Sequence, residues 1–203
     1  EMTVRANNWM FTQALATGVH GILLAHADTP GAVRAFIEAS RFPVHKQGLG
    51  KDLPEGRRGA HGTPMAAAIW GVTPNEYVQK ADAWPLNPNG ELVLGLKLED
   101  KWAIQNADEI LKVPGIAFVE WGPGDNALSH GLQDTPGAAQ NHPTMRAARN
   151  KVFAATKANK VFFLEGFNAK NFETQIRDGV RLGGASPEVA EMGRKFSKRQ
   201  LPW

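Results

Sequence analysis

Leu92-Val93-Leu94-Gly95-Leu96-Lys97-Leu98-Glu99 decides the fold, because it is the clearest candidate β-strand of the chain. Side chains alternate between the two faces of a strand, so the four leucines share one face and the other face ends in Lys97 and Glu99. A leucine face of this kind predicts a strand covered by helices. Burying a lysine and a glutamate is costly unless they pair or meet a ligand, so these two residues are the first candidates for chemistry.

Apolar runs and amphipathic segments alternate on both sides of this strand. Further strands are predicted at 3–5, 21–25, 116–120, 161–164 and 180–182, and the main helices at 9–16, 31–40, 102–112, 143–158, 169–178 and 187–198. A repeated order of strand and helix predicts an α/β fold with a parallel sheet covered by helices. The periodicity leaves a (β/α) barrel and an open doubly wound sheet as alternatives.

The composition excludes several classes of protein. The chain has 203 residues, 42% hydrophobic and 21% charged, which suits a single domain over 1–203. It has no cysteine, so disulfides, thiolate zinc sites and a cysteine nucleophile are excluded. Its charge of +3 is spread along the chain apart from a basic cluster at 194–199, so no nucleic-acid partner is expected. Without a membrane-length apolar run or a leader pattern, we expect no membrane partner and a cytoplasmic location.

Carboxylates follow two neighbouring predicted strands, at the end where active sites of parallel α/β folds assemble. Glu99 ends the leucine-rich strand, and Gly122-Pro123-Gly124-Asp125 follows the next strand. The glycines let the chain turn, so Asp125 can project beside Glu99. Two carboxylates with room for water suit a hard divalent cation. A structural Lys97–Glu99 ion pair and a turn or cap role for Asp125 are the alternative interpretations.

Arg5 is the candidate cation for an anionic substrate, because it ends the first predicted strand and a guanidinium can bind a carboxylate through two hydrogen bonds. A surface arginine is the alternative. The six histidines show no metal-ligand spacing, so His26 and His61 are interpreted as ordinary polar residues, although both could reach a site. No Gly-x-Ser-x-Gly element and no phosphate-binding glycine loop follow a predicted strand.

The motifs around Glu99 and Asp125 resemble those of the HpcH/HpaI aldolases, metal-dependent pyruvate aldolases that cleave 4-hydroxy-2-oxo acids. The resemblance covers nearly the whole chain. It rests on Leu98-Glu99, on Ala103-Ile104-Gln105-Asn106-Ala107-Asp108-Glu109-Ile110, on Val113-Pro114-Gly115, on Gly122-Pro123-Gly124-Asp125 with Ser129 and Gly131, and on Arg41-Phe42-Pro43, Arg58-Gly59, Val4-Arg5 and His142-Pro143.

This resemblance implies a fold, a cofactor and an activity. The fold is a TIM-type (β/α) barrel, with about six of the eight βα units in this chain. Glu99 and Asp125 are implied to bind Mg²⁺, Mn²⁺ or Co²⁺, Arg5 to contact the keto oxygen of a 2-oxo acid, and the backbone N–H groups of Gly124 and Asp125 to hold its carboxylate. The implied reaction is the reversible cleavage of a 4-hydroxy-2-oxo acid to pyruvate and an aldehyde through a pyruvate enolate. Family members are usually hexamers, so a homo-oligomer is expected.

The sequence departs from the family pattern at three places. The family has two further strands before its Val-Arg strand, with an acid/base histidine that this sequence lacks, and a partial sequence is preferred over an open barrel as the explanation. Lys97 stands where many members have glutamine, so it could hydrogen-bond pyruvate or form a Schiff base; with Glu99 and Asp125 present, the metal mechanism is preferred. His26 replaces part of the usual pocket wall and could supply proton chemistry.

Two other functions stay open alongside the aldolase. One is related enolate chemistry, such as oxaloacetate decarboxylation or citryl-type C–C cleavage. The other is a non-catalytic barrel that binds only a metal or an oxo acid. All of them use Glu99 and Asp125, so turnover is the property that separates them.

Overall fold

The computed structural model describes residues 1–50, 52–132 and 141–199. The strands are β1 (Gly21–Ala25), β2 (Ala83–Trp84), β3 (Leu92–Leu98), β4 (Phe118–Trp121), β5 (Phe162–Leu164) and β6 (Val180–Leu182). The helices are α1 (Met2–Ala6), α2 (Asn8–Ala16), α3 (Pro30–Ser40), α4 (Thr63–Trp70), α5 (Pro74–Lys80), α6 (Lys101–Ile110), α7 (Pro123–Ser129), α8 (Pro143–Asn159), α9 (Phe172–Asp178) and α10 (Pro187–Ser197).

The strands form one sheet in which every described pairing is parallel. Their order is β1-β3-β4-β5-β6, and the short β2 pairs with the start of β3. The register places Ala25 beside Lys97 and Lys97 beside Glu120, so the carboxyl ends of β1, β3 and β4 meet at one edge. The predicted α/β fold with a parallel sheet is confirmed. Within the described ranges β1 does not pair with β6, so the sheet is not closed there.

The leucine face of β3 is the centre of the core. Leu92, Leu94, Leu96 and Leu98 are fully buried, the last three in one cluster with side chains of α3, α6 and α8. Each such burial stabilises the fold by about 2 kcal/mol relative to an exposed leucine. The opposite face is built differently, because a Cβ at Gly95 would lie 2.2 Å from the ring of Phe118. The glycine therefore makes room for an aromatic ring inside the sheet.

Two helix caps fix the chain directly after strands. Thr29 accepts a hydrogen bond from the Ala32 N–H at 3.2 Å and starts α3 with Pro30 in the first turn. Asp100 accepts hydrogen bonds from the N–H groups of Trp102 and Ala103 at 2.9 and 2.8 Å and starts α6. Glu99 immediately precedes that cap, so its backbone is held between a strand and a helix.

A buried ion pair joins the end of α3 to the start of β2. Arg41 donates to both carboxylate oxygens of Asp82, at 2.6 and 3.0 Å, and both residues are at most 1% exposed. Asn87 donates to Asp82 as well. Burial alone would raise the pKa of Asp82, but the bonds and charge of Arg41, together with His45 and the Ala83 amide, hold it below its usual value.

The structure corrects several local predictions. The strand predicted at 3–5 is wrong, because these residues lie in α1, where Arg5 N–H bonds to the Glu1 carbonyl and the helix packs on α3. The helix α7 was not among the predicted helices. The strand β2 was not predicted, since a two-residue strand has no periodicity to detect. No helix among the described residues is long and apolar enough to span a membrane.

Candidate active site

Three side chains from different strand ends meet at the carboxyl edge of the sheet. His26 follows β1, Glu99 follows β3 and Asp125 lies in the first turn of α7 after β4. Each offers a ligand atom, and these atoms all lie within 4.8 Å of one another. The predicted pairing of Glu99 with Asp125 is therefore present in the structure, and His26 is an addition to it.

Glu99 is the buried member of the group, with its side chain 2% exposed. Lys97 Nζ lies 2.9 Å from Oε2 of this carboxylate, and His26 Nε2 lies 3.6 Å from Oε1. Although the lysine is close, Oε2 receives no well-directed hydrogen bond from any residue that the structure describes. A buried carboxylate oxygen without such a bond is unfavourable, and a ligand cation would satisfy it.

Lys97 carries the positive charge of the site. Its close polar contact with Glu99 raises the pKa of its ammonium, partial burial opposes this, and the charges of Glu99, Glu120 and Asp125 raise it further. The amine is therefore protonated at neutral pH. A Schiff base requires the neutral amine as nucleophile, so this environment favours an electrostatic role for Lys97.

His26 is the site residue that sequence reasoning undervalued. Its backbone lies in the left-handed region, at φ 50°, and its Nδ1 lies 3.6 Å from Oδ2 of Asp100. Asn106 of α6 donates to the Asp28 carbonyl at 2.9 Å and so ties down the loop that presents the histidine. Position was the available signal, because His26 directly follows a predicted strand. The adjacency of β1 and β3, on which the contact depends, was not visible in the sequence.

The segment from Gly122 to Ser129 carries Asp125 to Glu99. Gly122 N–H bonds to the Leu98 carbonyl at 3.4 Å, which continues the β3–β4 ladder beyond the strands. Ser129 accepts a hydrogen bond from the Lys101 N–H at 3.0 Å, so α7 and the start of α6 are joined directly. Gly124 and Asp125 lie in the first turn of α7, where backbone N–H groups lack partners inside the helix.

The donor set suits a divalent cation. Two carboxylates and one imidazole are common ligands of Mn²⁺, Co²⁺ and related ions, and the remaining positions can hold water or substrate oxygens. Glu99 Oε2, which has no well-directed partner, and the mutual approach of the three ligand atoms support the fit. Three negative charges, those of Glu99, Asp125 and Glu120, are opposed by the single ammonium of Lys97, so the site attracts further positive charge.

Arg5 does not join this group. Its guanidinium donates to both oxygens of Glu38, at 2.7 and 3.2 Å, and to Glu1 at 2.9 Å. These bonds raise its pKa above the usual value. The prediction that Arg5 contacts a substrate rested on a strand at 3–5 and on the family resemblance, whereas in α1 its guanidinium binds Glu38 of α3. That role stays an untested prediction, and the described contacts of Arg5 give it no support.

The sequence and fold of the chain can be compared with those of known proteins. The family model for HpcH/HpaI aldolase/citrate lyase matches residues 2–186, which is most of the chain and includes every residue of the candidate site. The chain belongs to this family. The predicted resemblance to the HpcH/HpaI aldolases is therefore confirmed.

Individual relatives agree with this assignment. A 2-keto-3-deoxy-L-rhamnonate aldolase from Escherichia coli O17:K52:H18 is 30% identical over 155 residues, covering 76% of this chain and 51% of the relative. The chain thus spans about half the length of the curated relatives it matches. An HpcH/HpaI aldolase/citrate lyase family protein from Burkholderia cenocepacia has the same fold, with a TM-score of 0.69 at 24% identity over 95% of this chain and 68% of that one. An HpcH/HpaI aldolase from Desulfitobacterium hafniense gives 0.66 at 20% identity, over 97% and 70% of the two chains.

Proposed function

We propose that this protein is a class II, divalent-metal-dependent lyase that reversibly cleaves a 4-hydroxy-2-oxo acid to pyruvate and an aldehyde. The observation that carries the proposal is the approach of His26, Glu99 and Asp125 to within 4.8 Å at the carboxyl edge of the sheet. Membership of the HpcH/HpaI family supports the reaction class. The name of the Escherichia coli relative, which denotes cleavage of a 2-keto-3-deoxy sugar acid, supports a 2-oxo acid as substrate.

In this proposal Glu99, Asp125 and His26 hold Mg²⁺, Mn²⁺ or Co²⁺. The cation, when bound, supplies Lewis-acid stabilisation of the negative charge that develops on the keto oxygen of pyruvate. The chain's own residues do the remaining work. Lys97 contacts the Glu99 carboxylate and adds a second positive charge close to the reacting carboxylate and keto group. We assign the first-turn N–H groups of Gly124 and Asp125 to the substrate carboxylate.

The reaction joins or separates one carbon–carbon bond. In the cleavage direction the C4 hydroxyl loses its proton, the C3–C4 bond breaks, and the electron pair passes to pyruvate as its enolate. A proton added at C3 then completes pyruvate. Loss of CO₂ from oxaloacetate would give the same enolate, so the two activities differ in the leaving group and share the site.

Exchange of the pyruvate methyl protons with D₂O tests the proposal without any aldehyde. We expect exchange, followed by ¹H NMR, that stops with EDTA, returns with Mn²⁺ or Co²⁺, and falls at least 100-fold in Glu99→Gln. The matched control is Glu109→Gln, an exposed glutamate of α6 that pairs with Lys112. Exchange that survives EDTA or Glu99→Gln would refute the metal-dependent mechanism. Turnover of oxaloacetate without any aldol reaction would favour decarboxylation.

The role of Lys97 can be separated from that of a Schiff-base lysine. Lys97→Met should lower the exchange rate without abolishing it, since the cation retains its three ligands. Borohydride added to the wild-type protein with pyruvate should leave the mass of the chain unchanged. A mass increase that is absent from Lys97→Met would instead identify a covalent imine.

We further propose that the protein is a homo-oligomer of the hexameric kind usual in this family. Met65 and Ile69, exposed by 56% and 60% on α4, support a contact surface. Light scattering after size exclusion measures the assembly, and a monomer at micromolar concentration would contradict it.

A further inference from the structure

A cavity of about 400 Å³ lies beside the candidate metal site, at the carboxyl ends of β4 and β5. Glu120, Trp121 and Pro123 line one side of it. Between them lies Gly122, whose absent Cβ would contact the side chains of Glu99 and Lys97. The cavity and the metal site are therefore separated by a single residue of chain, and a substrate held at Glu99 and Asp125 could extend into this space.

Two buried side-chain atoms of the cavity lining have no partner among the described residues, the acceptor Gln175 Oε1 and the donor Trp121 Nε1. Gln175 donates from Nε2 to Glu165 at 3.2 Å, while its Oε1 is buried and has no partner among the described residues. Glu120 makes no hydrogen bond or ion pair within 4 Å to any residue in the described ranges, although its charge is felt by Lys97. A buried acceptor or donor without a partner is costly, so the matching ligand is one that brings hydroxyl groups, which both donate and accept.

The charged residues of the cavity also favour a hydroxylated ligand over an anionic one. Arg149 binds both oxygens of Glu165, at 2.8 and 2.5 Å, and so neutralises that carboxylate. Glu120 has no such partner, and the described lining contains no lysine, arginine or histidine. The side-chain oxygens of Asn168 and Asn171 accept from backbone N–H groups, and Asn171 Nδ2 donates to the Gly166 carbonyl at 3.4 Å, so the two amide groups offer the ligand only neutral N–H donors. A ligand carboxylate would therefore meet the charge of Glu120 without a cation in the described cavity lining.

We propose that this cavity holds the aldehyde half of the substrate and selects hydroxylated aldehydes over aldehydes that carry a carboxylate, with Glu120 as the specificity-determining residue. This inference rests on the proposed lyase function. Ligand hydroxyls donate to Glu120 and Gln175 and accept from the asparagine amides, so a polyol chain satisfies both kinds of group. Rejection of a second carboxylate comes from the charge of Glu120, since Lys97 contacts Glu99 and no cation lines the cavity among the described residues; repulsion of this kind is an element that specific sites use.

The test compares glyceraldehyde with succinic semialdehyde as acceptors for pyruvate, with the 4-hydroxy-2-oxo acid products measured by chromatography. The readout is the ratio of the two kcat/KM values within each variant, so a general loss of turnover cancels. We expect the wild-type ratio to favour glyceraldehyde at least 10-fold, and Glu120→Gln to reduce it at least 10-fold, mainly by improving succinic semialdehyde. Glu109→Gln, which removes the same charge outside the cavity, should leave the ratio unchanged.

A wild-type preference for succinic semialdehyde, or a ratio unaffected by Glu120→Gln, would overturn the inference. Methyl-proton exchange of pyruvate needs no aldehyde, so it reports on the proposed function separately. If no aldehyde is turned over, saturation-transfer NMR on the isolated protein still tests which aldehyde the cavity binds. Glyceraldehyde should then show binding that Gln175→Leu weakens at least threefold, and stronger binding of succinic semialdehyde would refute the assignment.

Discussion

Gly122 lies so close to Glu99 that a Cβ on the glycine would be 2.5 Å from the glutamate Cβ and 2.6 Å from its Oε2. An alanine at this position must therefore displace the carboxylate, because a contact below 3 Å is not tolerated. We expect Gly122→Ala to weaken Mn²⁺ binding at least 10-fold, measured by calorimetry. Gly124→Ala is the matched control for Mn²⁺ affinity, because no atom lies within 4 Å of its added Cβ. Equal affinities in the two variants would contradict the packing argument.

His26 should influence which cation is bound. An imidazole favours Co²⁺ and Mn²⁺ over Mg²⁺, so removing it should cost more affinity for the former ions. We expect His26→Gly to weaken Co²⁺ binding about 10-fold and Mg²⁺ binding less, since glycine suits the positive φ and adds no strain. Pulsed EPR of the Mn²⁺ complex should show a ¹⁴N signal that this variant loses. A wild-type complex without that signal would exclude His26 as a ligand.

Arg5 offers a test of the corrected N-terminal structure. Arg5→Gln removes the two-bond contact with Glu38, whose side chain is 3% exposed, so stability should fall by about 2 kcal/mol while Mn²⁺ affinity stays unchanged. The double variant with Glu38→Gln should recover part of that loss, because no buried charge is then left alone. Urea unfolding measures both effects. A stable Arg5→Gln protein that binds Mn²⁺ or pyruvate more weakly would return Arg5 to the active site.

The buried pair of Arg41 and Asp82 should make stability depend on pH. The folded pKa of Asp82 lies below its ordinary value of 3.8. The stabilisation from its ionised form is therefore complete above pH of about 4 and is lost as pH falls through the folded pKa. Asp82→Asn should cost about 3 kcal/mol at pH 7, because Arg41 is left buried without its partner. The difference in the free energy of unfolding between wild type and Asp82→Asn should become smaller below pH 4. A difference that becomes larger there would contradict a lowered folded pKa of Asp82.

Much of the site followed from local pattern. The alternation in β3 placed four leucines in the core and sent Lys97 and Glu99 to the other face, and both placements are observed. The Gly-Pro-Gly segment was correctly expected to bring Asp125 back towards Glu99. These predictions succeeded because each depends on residues close together along the chain, where side-chain alternation and glycine chemistry dominate.

The errors concern contacts between distant segments. Thr3 and Val4 are β-branched, which suggests a strand, but Glu38 and Glu1 bind Arg5 and support a helix. No pattern close to Arg5 in the sequence predicts its contact with Glu38. The same limit hid the position of His26 beside Glu99, which depends on the pairing of β1 with β3, two strands that are adjacent in the sheet and far apart in the sequence. Pairing order is a property of the whole chain, and periodicity does not encode it.

The hydrogen bond of Asn106 bears on how such proteins are classified. It holds the Asp28 carbonyl and thereby the loop of His26, yet it lies outside the cavity beside the metal site. Together with Ser129, which joins α6 to α7, it shows that the family motifs contain residues that support the site as well as the ligand candidates Glu99 and Asp125. Motifs of this kind indicate that a metal site can form. They do not include Glu120, the residue proposed to select the acceptor aldehyde. Two proteins that share these motifs can therefore use different acceptor aldehydes and serve different metabolic pathways. Assigning a pathway requires inspecting the cavity beside the metal site.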